Sequence, residues 1–444
     1  MPPELEALHV QIARLDHEIG LQREVLRKLE QEKSLCKRRI NDALDPISRL
    51  PREISSEIFL QTLDSIPEPG AYQPPIQLVS ICNTWADIVL ATPYFWSNIR
   101  IDFTRTWDQK QLLPIWLQRA GGHPLSIWLE GLADHGVMAI IWEHAHHLKH
   151  LDIFLYEPIH HPREDDKMDL WRTGSSPGPL LSLETLTIRG PENGNPIIPI
   201  SSPHLLELFG LAPNLVGCRF ERARISTIPA PSSEGYTVLP SLRRLTIGEA
   251  GRPPNGYEDA LLKYLSLPSL EVLSTSLYST YAEDLMSFIQ RSTPPLSSLA
   301  MWANLSIPEL VACLGHLPNL ARLELWHVGK RAEGFLTAIL QSLSLVPHLA
   351  DLFIHFEPWT MDFVPFWNGL LTVLSALRHK LRAFQLEIAQ WRPELTPGPD
   401  VLSALEDFAM DGFKIQITGV GSAPGNIWRE HRISLADFPR TSEN

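Results

Sequence analysis

The chain has 444 residues, 44% of them hydrophobic and 20% charged, enough apolar material for a sizeable core and too much for global disorder. Its 51 acidic residues outnumber 38 basic ones, giving a net charge of −13, the opposite of what a nucleic-acid binder carries. Four widely spaced cysteines (Cys36, Cys82, Cys218 and Cys313) form no CxxC pair, so they fit neither a zinc knuckle nor a disulfide framework and suit the reducing cytoplasm or nucleus.

The N-terminus carries acidic residues and no apolar core of a secretory signal, and no run of about 18 uncharged apolar residues follows, so no membrane partner is expected. Residues 4–44 contain no proline and only one glycine, Gly20. Apolar side chains recur in heptads: position a holds Leu5, Ile12, Ile19, Leu26, Lys33 and Ile40, and position d holds Leu8, Leu15, Gln22, Leu29, Cys36 and Ala43. Such a seam lets two helices bury it against each other, while Gln22 and Lys33 set register at a cost in stability. The segment reads as a coiled-coil helix that pairs with a partner or with itself as a homodimer; a single long helix is the alternative.

Asp45-Pro46 ends that helix, because the residue before proline avoids the helical region. Pro51 then suits the first turn of a helix on which Ile54, Ile58, Phe59 and Leu63 share an apolar face. A Pro/Gly-rich loop over 67–75 leads to a second amphipathic stretch carrying Leu78, Val79, Cys82, Trp85, Ala86 and Val89, and a short element at 92–96 closes the unit.

This segment, 46–101, resembles an F-box. The family's Leu-Pro-x-Glu-(Ile/Leu) opening is matched by Leu50, Pro51, Glu53 and Ile54. Its later apolar-Cys-x-x-Trp is matched by Ile81, Cys82 and Trp85, and its closing proline and tryptophan by Pro93 and Trp96. The loop after Leu63 is longer than in many F-boxes, a departure that bears on how the first two helices pack. The layout is similar to the large F-box families of mushroom-forming fungi. The resemblance implies docking to the Skp adaptor, and through it the cullin ligase core, by an exposed ridge of Leu50, Pro51, Ile54, Ile58, Phe59, Leu63 and Val79. A three-helix unit this small cannot bury all its apolar side chains by itself. The alternative is that the ridge packs against the rest of the chain. Trp85 and Trp96 are expected to be core.

From residue 120 to 420 a Leu-x-x-Leu-x-(Leu/Ile) pattern recurs. Clear copies begin at Leu148, Leu183, Leu242, Leu296, Leu320 and Leu349, and weaker ones at Leu215, Leu270 and Leu381. Six copies have a proline two residues ahead of the first leucine: Pro213, Pro240, Pro268, Pro294, Pro318 and Pro347. A turn entering a short strand explains that placement. The period predicts an irregular leucine-rich repeat solenoid of parallel strands, leucines inward, with helical segments near 257–265, 282–290, 307–314 and 335–343 between strands. The fold class is thus α/β: a coiled-coil helix, a small all-helical F-box, a repeat solenoid and a C-terminal tail over 421–444.

Positions flanking the leucines face the open side of the strands. They include Asp152, Phe154, Thr187, Arg189, Ala300, Trp302, Glu324, Trp326, Phe353, His355, Gln385 and Glu387. Trp302, Trp326 and His355 hold equivalent places in successive copies. Solvated, they make with Glu324 and Phe353 a contact patch for an unknown target protein; covered by the tail, which contains Trp428 and Phe438, they are core. A histidine cluster (His144, His146, His147, His150, with His160 and His161 nearby) puts His146 and His150 four apart on a predicted helix. It lacks HExxH and a nearby cysteine, so no metal site is expected. No phosphate-binding or nucleophile-elbow motif occurs, so neither catalytic residues nor a cofactor are expected. The leading expectation is a non-enzymatic substrate receptor of a Skp–cullin–F-box ubiquitin ligase. A scaffold acting outside ubiquitination is the alternative from another class.

Overall fold

The structure, a computed structural model, describes residues 3–63, 66–69, 74–103, 106–131, 134–155, 178–191, 200–223, 225–226, 235–248, 258–275, 282–302, 305–328, 345–356, 363–377, 379–389, 397–410, 414–422 and 430–434. It is α/β, with a long N-terminal helix and a sheet of parallel strands, and it divides into two compact units, Met1–Ile127 and Trp128–Asn444.

The first unit opens with α1 (Pro3–Leu44), a helix of 42 residues and so roughly 60 Å long. Then come α2 (Arg52–Gln61), α3 (Pro74–Ile81), α4 (Asn83–Leu90), α5 (Tyr94–Ser97), β1 (Asn98–Asp102) and α6 (Thr106–Ala120); β2 (Leu125–Glu130) runs across the division. The expected second amphipathic stretch is two helices, because Cys82 between them is fully extended (φ −155°, ψ 173°). The cause lies far back in the chain. The Asp42 carboxylate on α1 accepts the backbone N–H groups of Asn83 (2.9 Å) and Thr84 (3.2 Å) and the Asn83 side-chain amide (2.8 Å). It caps α4 from outside, satisfying donors that a helix start leaves open. Arg38 and Asn41 of α1 donate to the carbonyls of Val79 (2.6 Å) and Ile81 (2.9 Å), so the end of α1 is clasped to α3 and α4.

Trp96 is fully buried, as expected: its indole donates to the Val89 carbonyl (3.0 Å), its ring meets Trp116 edge-on, and the Arg119 guanidinium lies 4.5 Å from its centre. Trp85 is half-buried against Phe59.

The second unit contains α7 (His135–Glu143), β3 (Leu148–Phe154), β4 (Thr185–Arg189), β5 (Ile200–Ser201), α8 (Ser202–Leu211), β6 (Gly217–Glu221), β7 (Ile225–Ser226), β8 (Thr237–Val238), β9 (Arg244–Ile247), β10 (Leu265–Ser266) and β11 (Val272–Thr275). It continues with α9 (Ala282–Ser292), β12 (Ser298–Trp302), α10 (Ile307–Gly315), β13 (Arg322–Val328), β14 (Asp351–Phe356), α11 (Phe363–Leu377), β15 (Ala383–Ala389), α12 (Pro399–Met410), β16 (Lys414–Ser422) and β17 (Glu430–Ser434). Its main sheet runs in the order β3-β4-β6-β9-β11-β12-β13-β14-β15-β16-β17. Neighbours are parallel throughout except for the last pair, which is antiparallel. The pairs β5–β7 and β8–β10 form two small parallel ladders of their own.

Each of the nine expected sequence copies supplies one strand of this sheet. The middle residue of every copy falls in one register row: Leu151, Leu186, Cys218, Leu245, Leu273, Leu299, Leu323, Leu352 and Phe384, all buried. Alternation along each strand sends these side chains to one face, and the residues between them to the other. Five of the six prolines enter as expected; at the sixth, the Leu296 N–H bonds the Pro294 carbonyl itself (2.8 Å). Pro213, Pro240, Pro268, Pro318 and Pro347 each sit second in a turn closed from the fourth N–H to the first carbonyl, as in Leu320 N–H to Leu317 (3.2 Å). Proline's fixed φ suits that position.

A second device recurs along the sheet: the carbonyl just ahead of one strand accepts two successive N–H groups from the entry of the next. Glu271 takes Ser297 and Ser298, Ser297 takes Ala321 and Arg322, and Ala321 takes Ala350 and Asp351, at 2.8 to 3.1 Å. Gly190 is held to glycine because a Cβ there would collide with the Arg222 carbonyl.

Of the expected inter-strand helices, 282–290 and 307–314 lie within α9 and α10, and 258–264 forms a 3-10 helix; 335–343 lies outside the described residues. Sheet pairing continues past 420. β16 adds a tenth parallel strand and β17 an edge within the segment expected to be tail.

Candidate functional site

Two surfaces bear on function, one in each unit. In the first, Pro51 begins α2, and the Asp45 carboxylate accepts the Ile47 N–H (3.0 Å) in the turn before it. The helix buries Ser55 and Phe59. On its other side Leu50, Ile54 and Ile58 are 40%, 51% and 41% exposed, and Pro51 is exposed with them. Spacing of three to four residues stacks these side chains into one ridge. Leu63 and Val79 are half-buried.

Phe59 departs from expectation: it is 2% exposed, with its ring 4.5 Å from that of Trp85, and belongs to the core of the unit. Helical periodicity groups Phe59 with Ile58, but adjacent residues point about 100° apart, and only the more inward one meets α4. The open part of the ridge is therefore Leu50, Pro51, Ile54 and Ile58.

In the second unit the sheet face opposite the leucines carries the other candidates. Trp302 pairs in register with Trp326, whose ring stacks on His355 (5.0 Å between centres, 29°) and leans on Phe353 (5.4 Å). The expected juxtaposition is present, and of the two readings left open, solvated patch or covered core, Trp302 and His355 follow the second. Trp302 is 5% and His355 7% exposed, while Trp326, Phe353 and Glu324 are half-buried. Rings on strands about 4.8 Å apart cover one another's faces, so a row of aromatics buries itself. The His355 ring lies 3.2 Å from the Glu387 carboxylate. Trp428 and Phe438, the expected cover, lie outside the described residues.

Beside the aromatic row is a shallow cavity of about 290 Å³ lined by Arg322, Asp351, Phe353, Arg382, Gln385 and Lys414, among others. Arg382 grips Asp351 with both arms of its guanidinium (3.1 and 2.5 Å), which raises the Arg382 pKa, and Arg322 binds Glu324 (3.0 Å). Lys414 comes from β16, a strand that sequence reasoning missed because it lacks the leading Leu-x-x; the alternation Ile415, Ile417 was its only signal.

Farther along the same face Arg189 donates to Asp152 (2.8 Å). Burial raises the Asp152 carboxyl above its usual range, and the arginine partly offsets that rise.

The histidines do not share a helix. His146 lies in a 3-10 turn and His150 on β3, where its ring meets the Thr185 hydroxyl at 2.6 Å; His160 and His161 lie outside the described residues. Among the described residues no group of three or more His, Cys, Asp or Glu side chains is placed to hold a metal ion, and no helix is long and apolar enough to cross a membrane. No protein-family model and no curated protein sequence matches the chain.

Proposed function

We propose that the first unit carries an F-box, that the parallel sheet is part of a divergent leucine-rich repeat solenoid, and that the chain is the substrate-receptor subunit of a Skp–cullin–F-box ubiquitin ligase. The observation that carries the reading is the split character of α2. One side closes the unit's core through Phe59, while Leu50, Ile54 and Ile58 stand open on the other. An apolar ridge rimmed by polar residues is the kind of surface a partner covers. The resemblance of Leu50, Pro51, Glu53, Ile54, Cys82, Trp85, Pro93 and Trp96 to the F-box pattern implies the Skp adaptor as that partner.

On this reading the chain performs no chemistry. It holds a target on the sheet face and brings it to the ligase core, so its contribution is effective concentration and orientation. The half-buried Trp326 and Phe353 and the charged cavity beside them are the proposed target contacts, with Trp302 and His355 as their packed support.

The test is co-expression with a Skp adaptor and capture of the complex. A stable complex is expected, lost when Leu50→Asp and Ile54→Asp are combined. Capture that survives the pair would remove α2 as the docking face.

A further inference from the structure

α1 carries a second open apolar surface, on a different face from the one it uses within its own unit. The residues that clasp α3 and α4 are Arg38, Asn41 and Asp42, at heptad positions f, b and c. Positions a and d point away from them, and the seam stays open along the helix: Ile12, Leu15, Ile19, Leu26, Leu29 and Ile40 are 46% to 58% exposed. We propose that this seam pairs with the same seam of a second copy of the chain, as a parallel, in-register, two-stranded coiled coil.

Charge decides the orientation. In a parallel pair, each g position faces the e′ position five residues later. That sets Glu18 against Arg23′ and Glu32 against Lys37′, each twice per dimer, while Gln11 opposite Asp16′, Val25 opposite Glu30′ and Arg39 opposite Leu44′ add no like-signed pair. In a fully overlapped antiparallel pair, e faces e′ and g faces g′. Asp16 then meets Glu30′, Arg23 meets Arg23′ and Glu18 meets Glu32′, all like-signed.

The interior agrees at Gln22 and costs something at Lys33. Parallel pairing sets Gln22 against Gln22′, whose amides can bond each other, and Lys33 against Lys33′, a like-charged layer that lowers stability; antiparallel pairing strands both against leucine, Gln22 on Leu26′ and Lys33 on Leu15′, each twice per dimer. Isoleucine at a (Ile12, Ile19, Ile40) with leucine at d (Leu8, Leu15, Leu29) favours two strands over three or four.

Cys36 reports the geometry. It is exposed at a d position, whereas Cys82, Cys218 and Cys313 are buried. In the parallel pair Cys36 faces Cys36′. In the antiparallel pair it faces Ile12′, and the two thiols stand about 36 Å apart along the helix.

The experiment uses the reduced full-length chain at micromolar concentration, with sedimentation equilibrium for mass and a short bismaleimide to bridge nearby thiols. The expected result is a dimer that the reagent converts to a covalent pair, with Cys36→Ser abolishing the bridge while sedimentation still reports a dimer. A Glu18→Lys variant should weaken the dimer on the order of tenfold, and adding Arg23→Glu should restore it. A monomer would overturn the proposal. So would a dimer that is not bridged through Cys36, or one tightened by Glu18→Lys, as antiparallel pairing requires. None of these readouts involves the Skp adaptor, so they stand or fall apart from the ligase reading.

Discussion

Ile54 and Phe59 are both large apolar residues on one short helix, yet the structure gives them opposite roles. Phe59→Ala removes a buried ring packed on Trp85 and should cost about 3–5 kcal/mol in the stability of the first unit, read by urea unfolding. Ile54→Ala acts at a side chain 51% exposed and should change stability by no more than about 0.5 kcal/mol, while weakening adaptor capture. The sequence placed both on one apolar face but could not say which would be covered, because that depends on where Trp85 lands after an intervening loop.

Asp42 is a similar case. Nothing local marks it as a cap, since the helix it serves starts at Asn83. Burial pushes its carboxyl up, but the hydrogen bonds from Thr84, Cys82 and Asn83 outweigh this and hold it below the ordinary value of 3.8. A lowered folded-state pKa contributes stability above the ordinary value and loses it as pH falls through the folded one. Protection at Asn83 and Thr84, their amide exchange rate set against that of the unfolded chain at the same pH, should therefore be high at neutral pH and fall only below about pH 4 in the native chain, but be low at all pH in Asp42→Ala. Equal protection in the variant would show that α4 needs no cap from α1.

The cysteines divide by the same logic of burial. Desolvation pushes the Cys313 thiol up to about 12 and raises that of Cys218 too, so neither forms thiolate near neutral pH. Thiol titration of the native chain should find one group that reacts without unfolding, Cys36, and three that react only after it.

At the scale of elements, the parallel strands were the most legible part of the chain. A leucine pattern with inward alternation located nine strands in register, and in six of them a preceding proline, with the separate physical cause of a preset turn, agreed with it. The leucine pattern sufficed without the proline at β3, β4 and β15, but where both signals were missing the reading failed: β16 lacks both, and β17 pairs antiparallel. The break at Cys82 failed for another reason, since a continuous apolar stripe hides a helix interruption imposed by a distant carboxylate.

The turn prolines carry a prediction of their own. Pro240→Ala and Pro318→Ala leave the folded turns free to form but loosen the unfolded chain, so each should lower stability by about 0.4–1 kcal/mol with no change in the far-ultraviolet spectrum. A larger loss, or altered secondary structure, would mean that proline does more than preset the turn.

For the whole molecule, the two open helical surfaces suggest a division of labour. The ridge of α2 suits a foreign partner, and the seam of α1 suits a second copy. The aromatic row on the sheet, left open between solvated patch and covered core, is mostly self-covered, so the proposed target contacts are its half-buried edge and the charged cavity beside it. Sequence alone placed these residues side by side, because register follows from pattern. It could not give their exposure, because exposure depends on how neighbouring rings lie over one another.

The most direct measurement is calorimetric titration of the purified full-length chain with a purified Skp adaptor. It should be done for the native sequence and for Leu50→Asp combined with Ile54→Asp, with circular dichroism to show that both are folded. One adaptor per chain, and no measurable heat of binding for the folded double variant, is the predicted result. No binding by the native chain, or equal binding by both, would contradict the assignment of α2 as an adaptor-docking ridge.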